Sequence, residues 1–448
     1  MDILKCQQTY FISLQGYTPQ TKLMKKLLFS SIFILLIISC SNNDDTSSDD
    51  DTVMEEEEMD VIDNEPEEPE DEVTLSFIPC ENGMAGEYPC GGYDLLGRIS
   101  LQEFGSSSGN DIWGWIDATT GKEYALMGLN DGTAFIDITD TENLIYLGKL
   151  PTTTSSSSWR DVKIYQDYAY IVAEASNHGV QVFDLKKLRN VVSPPEVFSS
   201  DFIYDGIGSA HNIVINEETG FAYPVGTNRN DQFNGGVHFL SLQNPGAPIA
   251  AGGWGNNGYT HDAQVISYIG PDSEHNGAEI FVGANENEVV IVDISQKDAP
   301  VTLSTLSYSF LGYTHQGWFT EDQRYFILGD ETDEINSGFN SRTLIFDMTD
   351  LDNPVLHDTY LGTTSAIDHN GYVVGDAFFL ANYTAGLRVL DISNIDGKAI
   401  TEKGFFDTFP ASNNTQFDGV WSVYPFFESG KILISDMNRG FFVVKKSE

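Results

Sequence analysis

From Tyr93 to the C-terminus, short apolar runs recur, each bounded by Gly, Asn, Asp or Ser. The clearest copies carry an aspartate near their end: Ala134-Phe135-Ile136-Asp137-Ile138, Val180-Gln181-Val182-Phe183-Asp184-Leu185, Val289-Val290-Ile291-Val292-Asp293-Ile294, Leu344-Ile345-Phe346-Asp347-Met348 and Leu387-Arg388-Val389-Leu390-Asp391-Ile392. Val237–Leu242 and Gly440–Val444 are weaker copies. Runs of this length, rich in β-branched and aromatic residues, read as strands. Before most of them stands a Gly/Asn turn, such as Asn130-Asp131-Gly132 or Asn438-Arg439-Gly440, and Gly and Asn tolerate the positive φ that tight hairpins need. The copies repeat every 44 to 57 residues or so, the length of a four-stranded propeller blade.

The two ends of the pattern complement each other. The last copy reaches Glu448 without an outer strand, while a spare strand, Leu95–Leu101, precedes the first. The pattern therefore predicts an all-β chain: a single β-propeller of about seven four-stranded blades over residues 93–448, closed by the N-terminal strand in the last blade. Closure leaves no sheet edge open to aggregation. Two separate β-sandwiches would explain neither the period nor the spare strand.

Upstream of the repeat the composition changes. Met24-Lys25-Lys26 and the apolar run Leu27–Ile38 have the form of a signal peptide, too short for a comfortable membrane span. The run closes on Ile37-Ile38-Ser39-Cys40, which resembles a lipobox: Cys40 is then the acylated residue, and 24–40 the lipoprotein signal. Residues 1–23 read as an extension ahead of the true start. From Asp44 to Glu72 roughly half the residues are acidic and none is basic, so 41–75 is expected to be a disordered acidic tether like those of Bacteroidetes outer-membrane lipoproteins. The expected location is the cell envelope, lipid-anchored to the outer membrane and facing the surface. A net charge of -44 repels phosphate backbones, which excludes nucleic acid as a partner. Export brings an oxidising compartment, in which Cys80 and Cys90 pair as a disulfide in a lead-in spanning 76–92.

The Val289–Asp293 type of run resembles the LVIVD repeat. Cys80–Gly86 with Tyr88-Pro89-Cys90, Tyr313–Gly317, Asp368-His369-Asn370 and Asn382–Asp391 resemble the choice-of-anchor B family. That resemblance implies a propeller held at the cell by one of several anchors, and no particular reaction.

Aligning the first strand of each blade gives one position that reads Trp113, Arg160, His211, His261, His315, His369, Trp421. Polar residues follow the histidines: Asn212, Asp262, Gln316 and Asn370. Innermost strands line a propeller's channel, so this ring should crowd one mouth. Hairpins above it carry Asp330, Glu331, Asp333, Glu334 and Asn382. Imidazole with carboxylate suits a divalent transition metal such as zinc, whereas carboxylate with amide oxygen suits calcium. Inter-blade hydrogen bonding is the structural alternative for the same histidines. The repeated strand aspartate reads as structural, bonding turn amides, and His178, His238, His275 and His357 as ordinary surface or strand residues.

No zinc-protease helix, phosphate loop or dinucleotide fingerprint is present in the sequence, and Gly105-Ser106-Ser107-Ser108-Gly109 lacks the strand-to-helix setting of a nucleophile elbow. The leading expectation is a non-enzymatic binding module whose mouth takes a ligand, a metal ion, or a protein or carbohydrate partner, with Tyr313, Trp318, Tyr383 and Trp421 as candidate walls. A metal-assisted hydrolase or lyase at the same mouth and a purely structural surface protein are the alternatives.

Overall fold

A computed structural model describes residues 77–448, so residues 1–23, the signal segment with Cys40 and the whole acidic stretch lie outside the described residues. Seven sheets follow one another in chain order. Their first strands are Gly109–Ile116, Arg160–Tyr165, Asn212–Asn216, Asp262–Ser267, Thr314–Phe319, Gly371–Val374 and Val420–Tyr424. In each, four antiparallel strands run outward from that first one. Blade seven is completed by Tyr93–Ile99, which pairs antiparallel with Gly440–Lys446, so the ring closes as the spare N-terminal strand predicts.

The lead-in is part of the propeller. Tyr88–Gly91 pairs with the outer strand Thr401–Phe406 of blade six, and Met84–Ala85 adds a further edge strand. Cys80 and Cys90 form the predicted disulfide, with their Cα atoms 5.9 Å apart. Glu196–Val197 covers the outer edge of blade one in parallel with Ile145–Pro151. At the contact Gly148 has φ +147°, and a Cβ there would meet the Glu196 backbone at 2.0 Å, so only glycine admits this strand.

The core lies between blades. Phe135 of blade one stacks on Phe183 of blade two at 4.7 Å, and both are fully buried. Each such ring contributes about 2–3 kcal/mol of transfer energy. The repeated aspartate does what its turn position predicts. Asp137, Asp184, Asp293, Asp347 and Asp391 each accept the backbone N–H two residues on, at 2.9–3.0 Å.

Candidate metal centre

The first strands stack their side chains in layers down the channel. The mouth layer holds Asn110, Arg160, His211, His261, His315, His369 and Trp421. The next residue in each strand gives a second layer: Asp111, Asp161, Asn212, Asp262, Gln316, Asn370 and Ser422. Trp113, expected in the mouth, belongs three residues deeper than Asn110. The register shifts between Gly109 and Ile112, so Asn110 takes the blade-one place. Trp113 instead meets Tyr372 and Tyr424 at 6.0 and 5.1 Å around Phe426, in an aromatic cluster that includes Trp318 and borders a second cavity in the far part of the channel.

Four successive blades therefore deliver an arc of imidazoles. Ring centres are 3.9 Å apart for His211 and His261, 4.6 Å for His261 and His315, and 4.3 Å for His315 and His369. Trp421 continues the arc 4.8 Å from His369. Three of the four rings are oriented through Nδ1: His211 by Glu174 Oε1 at 2.7 Å, His261 by the Tyr313 hydroxyl at 3.0 Å, and His369 by the Trp421 carbonyl at 2.5 Å. The Glu174 carboxylate and the Trp421 carbonyl can only accept, so they fix the tautomer of His211 and His369 and leave Nε2 as the ligand atom, the outer-shell arrangement of metal-binding histidines, while the Tyr313 hydroxyl orients the His261 ring.

Glu331 enters from above, directly after the second strand of blade five, Tyr325–Asp330. Its Oε2 is 3.7 Å from His315 Nε2, and its Oε1 is 3.6 Å from His369 Nε2 and accepts the Tyr383 hydroxyl at 2.8 Å. One ligand atom from each of His261, His315 and Glu331 lies within 4.8 Å of the others. Ligand atoms on a tetrahedral zinc ion stand roughly 3.3–3.5 Å apart, so small side-chain rotations close the three on an ion. His261 Nε2 and His315 Nδ1 are buried without a hydrogen-bond partner.

Electrostatics keeps these rings neutral, so each has one nitrogen free of a proton. Burial, helped by the neighbouring imidazoles, holds His261 and His315 well below the usual imidazole range, and burial takes His369 down to about 3. Burial also pushes Glu331 up to about 7. Neutral imidazoles around a carboxylate that burial destabilises as an anion form a cage that a cation would relieve.

The remaining predicted residues have other partners. Asp330, one position before Glu331, accepts from the backbone amides of Gly312, Tyr313, Thr332 and Asp333 and from the Tyr308 hydroxyl. Asp333 and Glu334 open the short helix Asp333–Ser337, where Asp333 pairs with the Arg342 guanidinium and Glu334 accepts the Arg342 amide at 2.9 Å. The acidic hairpin thus has its own internal cation. Gln316 bonds both backbone groups of Gly371 in blade six, and Asn382 bonds Ser341 and the Ile367 carbonyl. Asn370 donates to the Trp421 carbonyl at 3.3 Å. Asp262 sits beneath the arc, accepts from Asn212 at 2.8 Å, and is pushed up to about 7 by burial.

Sequence reasoning missed Glu174. It follows the second strand of its blade as Glu331 follows that of blade five, so the repeat did carry the signal. His178 is not a surface residue: it is fully buried with Nε2 3.1 Å from Arg160 Nη1. Also missed was the second-layer ion group, in which the Lys163 ammonium bridges Asp111 and Asp161 at 2.9 and 2.6 Å.

A family model described as the LVIVD repeat matches residues 158–178 and 280–306. The chain is a seven-bladed propeller that carries LVIVD repeats. The first LVIVD match spans Arg160, Glu174 and His178, and the second contains the Val289–Asp293 strand. No curated protein matches the chain.

Proposed function

We propose that this LVIVD propeller is a lipid-tethered binding module of the cell envelope, of the choice-of-anchor B type. Its channel mouth holds a divalent transition metal ion through His261, His315 and Glu331, flanked by His211 and His369. The observation that carries the reading is the convergence of one ligand atom each from His261, His315 and Glu331 within 4.8 Å, with His261 Nε2 buried and unpartnered and the flanking rings held through Nδ1. A set richer in imidazole than in carboxylate favours zinc-class ions over calcium. Tethering rests on the Cys40 lipobox and the acidic stretch behind it.

Metal-assisted hydrolysis is the second reading, favoured by the Glu331 carboxyl near neutrality. Binding is preferred because the cavity lined by His211, His315, His369 and Trp421 is narrow, which suits a small ligand better than a bulky substrate.

The test is metal content by mass spectrometry on the purified full-length protein, carrying no metal-binding tag. About one equivalent of zinc, lost in still-folded His315→Ala and Glu331→Gln and retained in Asp330→Asn, is expected. A wild-type protein that takes up no divalent ion overturns the reading. Metabolic labelling with a fatty acid, abolished in Cys40→Ala, tests the tether.

A further inference from the structure

Among the described residues, four basic side chains are buried: Arg160, Lys163, Arg342 and Arg388. Lys163 has Asp111 and Asp161, Arg342 has Asp333, and Arg388 has Glu402. Arg160, 1% exposed, has no carboxylate within ion-pair distance among the described residues. Its Nε donates to the Leu129 carbonyl at 2.9 Å and its Nη1 faces His178, so two edges of the fork are spent on holding it still. Its Nη2 is buried without a partner. A guanidinium held in this way, with no ion-pair contact and only the more distant Asp131 to offset its burial, is costly.

Arg160 lines the same cavity as His211, His315, His369 and Trp421, in the blade next to His211. We propose that Arg160 is the anion-holding group of the mouth, and that the ligand is a small oxyanion of the carboxylate class, either a free acid or the end of a chain. The proposal deepens the binding reading by naming the ligand's charge, and it stands on Arg160 whether or not the metal is present. A planar fork with a free N–H matches a carboxylate oxygen better than a neutral group. The metal side of the mouth would take the second oxygen.

The acidic floor does not forbid this. Asp111 and Asp161 share the Lys163 ammonium, and both oxygens of Asp262 are engaged, by Asn212 and by the Ala263 amide. Asp111 Oδ1, Asn212 Oδ1 and Asn370 Oδ1 lack protein partners, and they are acceptors that ordered water or a hydroxyl on the ligand fills.

The experiment titrates the purified full-length protein with formate, acetate and acetamide by calorimetry, before and after chelator treatment. The same titrations run on Arg160→Gln and Arg160→Lys, with metal content measured on every sample. Acetate binding with no binding of the neutral isostere acetamide is expected. Both variants should weaken acetate by roughly 10-fold or more. Triglycine with a free C-terminus, set against its amidated form, separates a chain end from a free acid. Acetate that binds metal-free wild type and is lost in Arg160→Gln supports the inference even if no metal is found. Metal-loaded protein that ignores acetate, or binds it equally after Arg160→Gln, overturns the inference and leaves the metal reading standing. If neither variant folds, the acetate–acetamide comparison on wild type decides, and equal binding of the two overturns it.

Discussion

Replacing Lys163 by Met should cost more than any surface charge change in the molecule. Its ammonium is buried between Asp111 and Asp161, and also lies 4.6 Å from the Trp113 ring centre. Burial alone would lower the lysine's proton affinity, but the two carboxylates more than offset this and hold it above the ordinary range. Burial also holds Asp161 well above the usual carboxylate range, while the nearby ammonium keeps Asp111 below it. The trio therefore carries one shared proton, one negative charge and one positive charge. Lys163→Met removes the positive charge and leaves a buried anion, a change worth about 3–5 kcal/mol. An unfolding entropy of about 2 cal/mol/K per residue turns this into a fall of roughly 4–6 °C in Tm for the described part of the chain. The variant adds a sign test. Without the ammonium both carboxyls have raised folded pKa values, so the folded state binds more protons than the unfolded one. Stability is then regained as pH falls through those values, and the deficit should shrink from pH 8 towards pH 5. Differential scanning calorimetry across that range is the assay. A deficit under 1 kcal/mol at pH 8, or one that grows on acidification, would refute the assignment of a single ammonium matched to a single shared proton.

Other consequences are as direct. Reduction of Cys80–Cys90, whose sequence separation is 10, should cost about 2–3 kcal/mol by loop entropy, read as a lower Tm in reductant. His178 is pushed down to about 4 by burial and then by the Arg160 charge, from an ordinary 6.5. Its stabilising neutral form is therefore lost as pH falls between those values, at up to about 3 kcal/mol, and His178→Gln should flatten that part of the pH–stability profile measured by urea unfolding. Asp330→Asn should lower stability by about 2–4 kcal/mol, since it weakens an acceptor for five donors, and should leave metal content unchanged.

The fold was legible because blade physics repeats. The aspartate at the end of each third strand caps the next turn through the same amide in five blades, and the strand missing at one end of the chain is present at the other. The histidine arc was legible for the same reason. What sequence could not do was choose among neighbouring acids. Asp330 and Glu331 differ by one position, yet Asp330 ends a strand and turns to amides while Glu331 leaves the strand and turns to the mouth. The local shift at Asn110–Asp111 broke the counting in blade one and misplaced Trp113. The Arg160–His178 contact joins the start of one strand to the hairpin beyond the next, a proximity that only the folded blade supplies.

The central claim is that the imidazole arc and Glu331 form one metal site, and anomalous X-ray scattering from crystals of zinc-soaked protein tests it most directly. The account predicts a single strong peak at the zinc edge between His261, His315 and Glu331. Anomalous density confined to other sites, with the arc empty at saturating zinc, would contradict it.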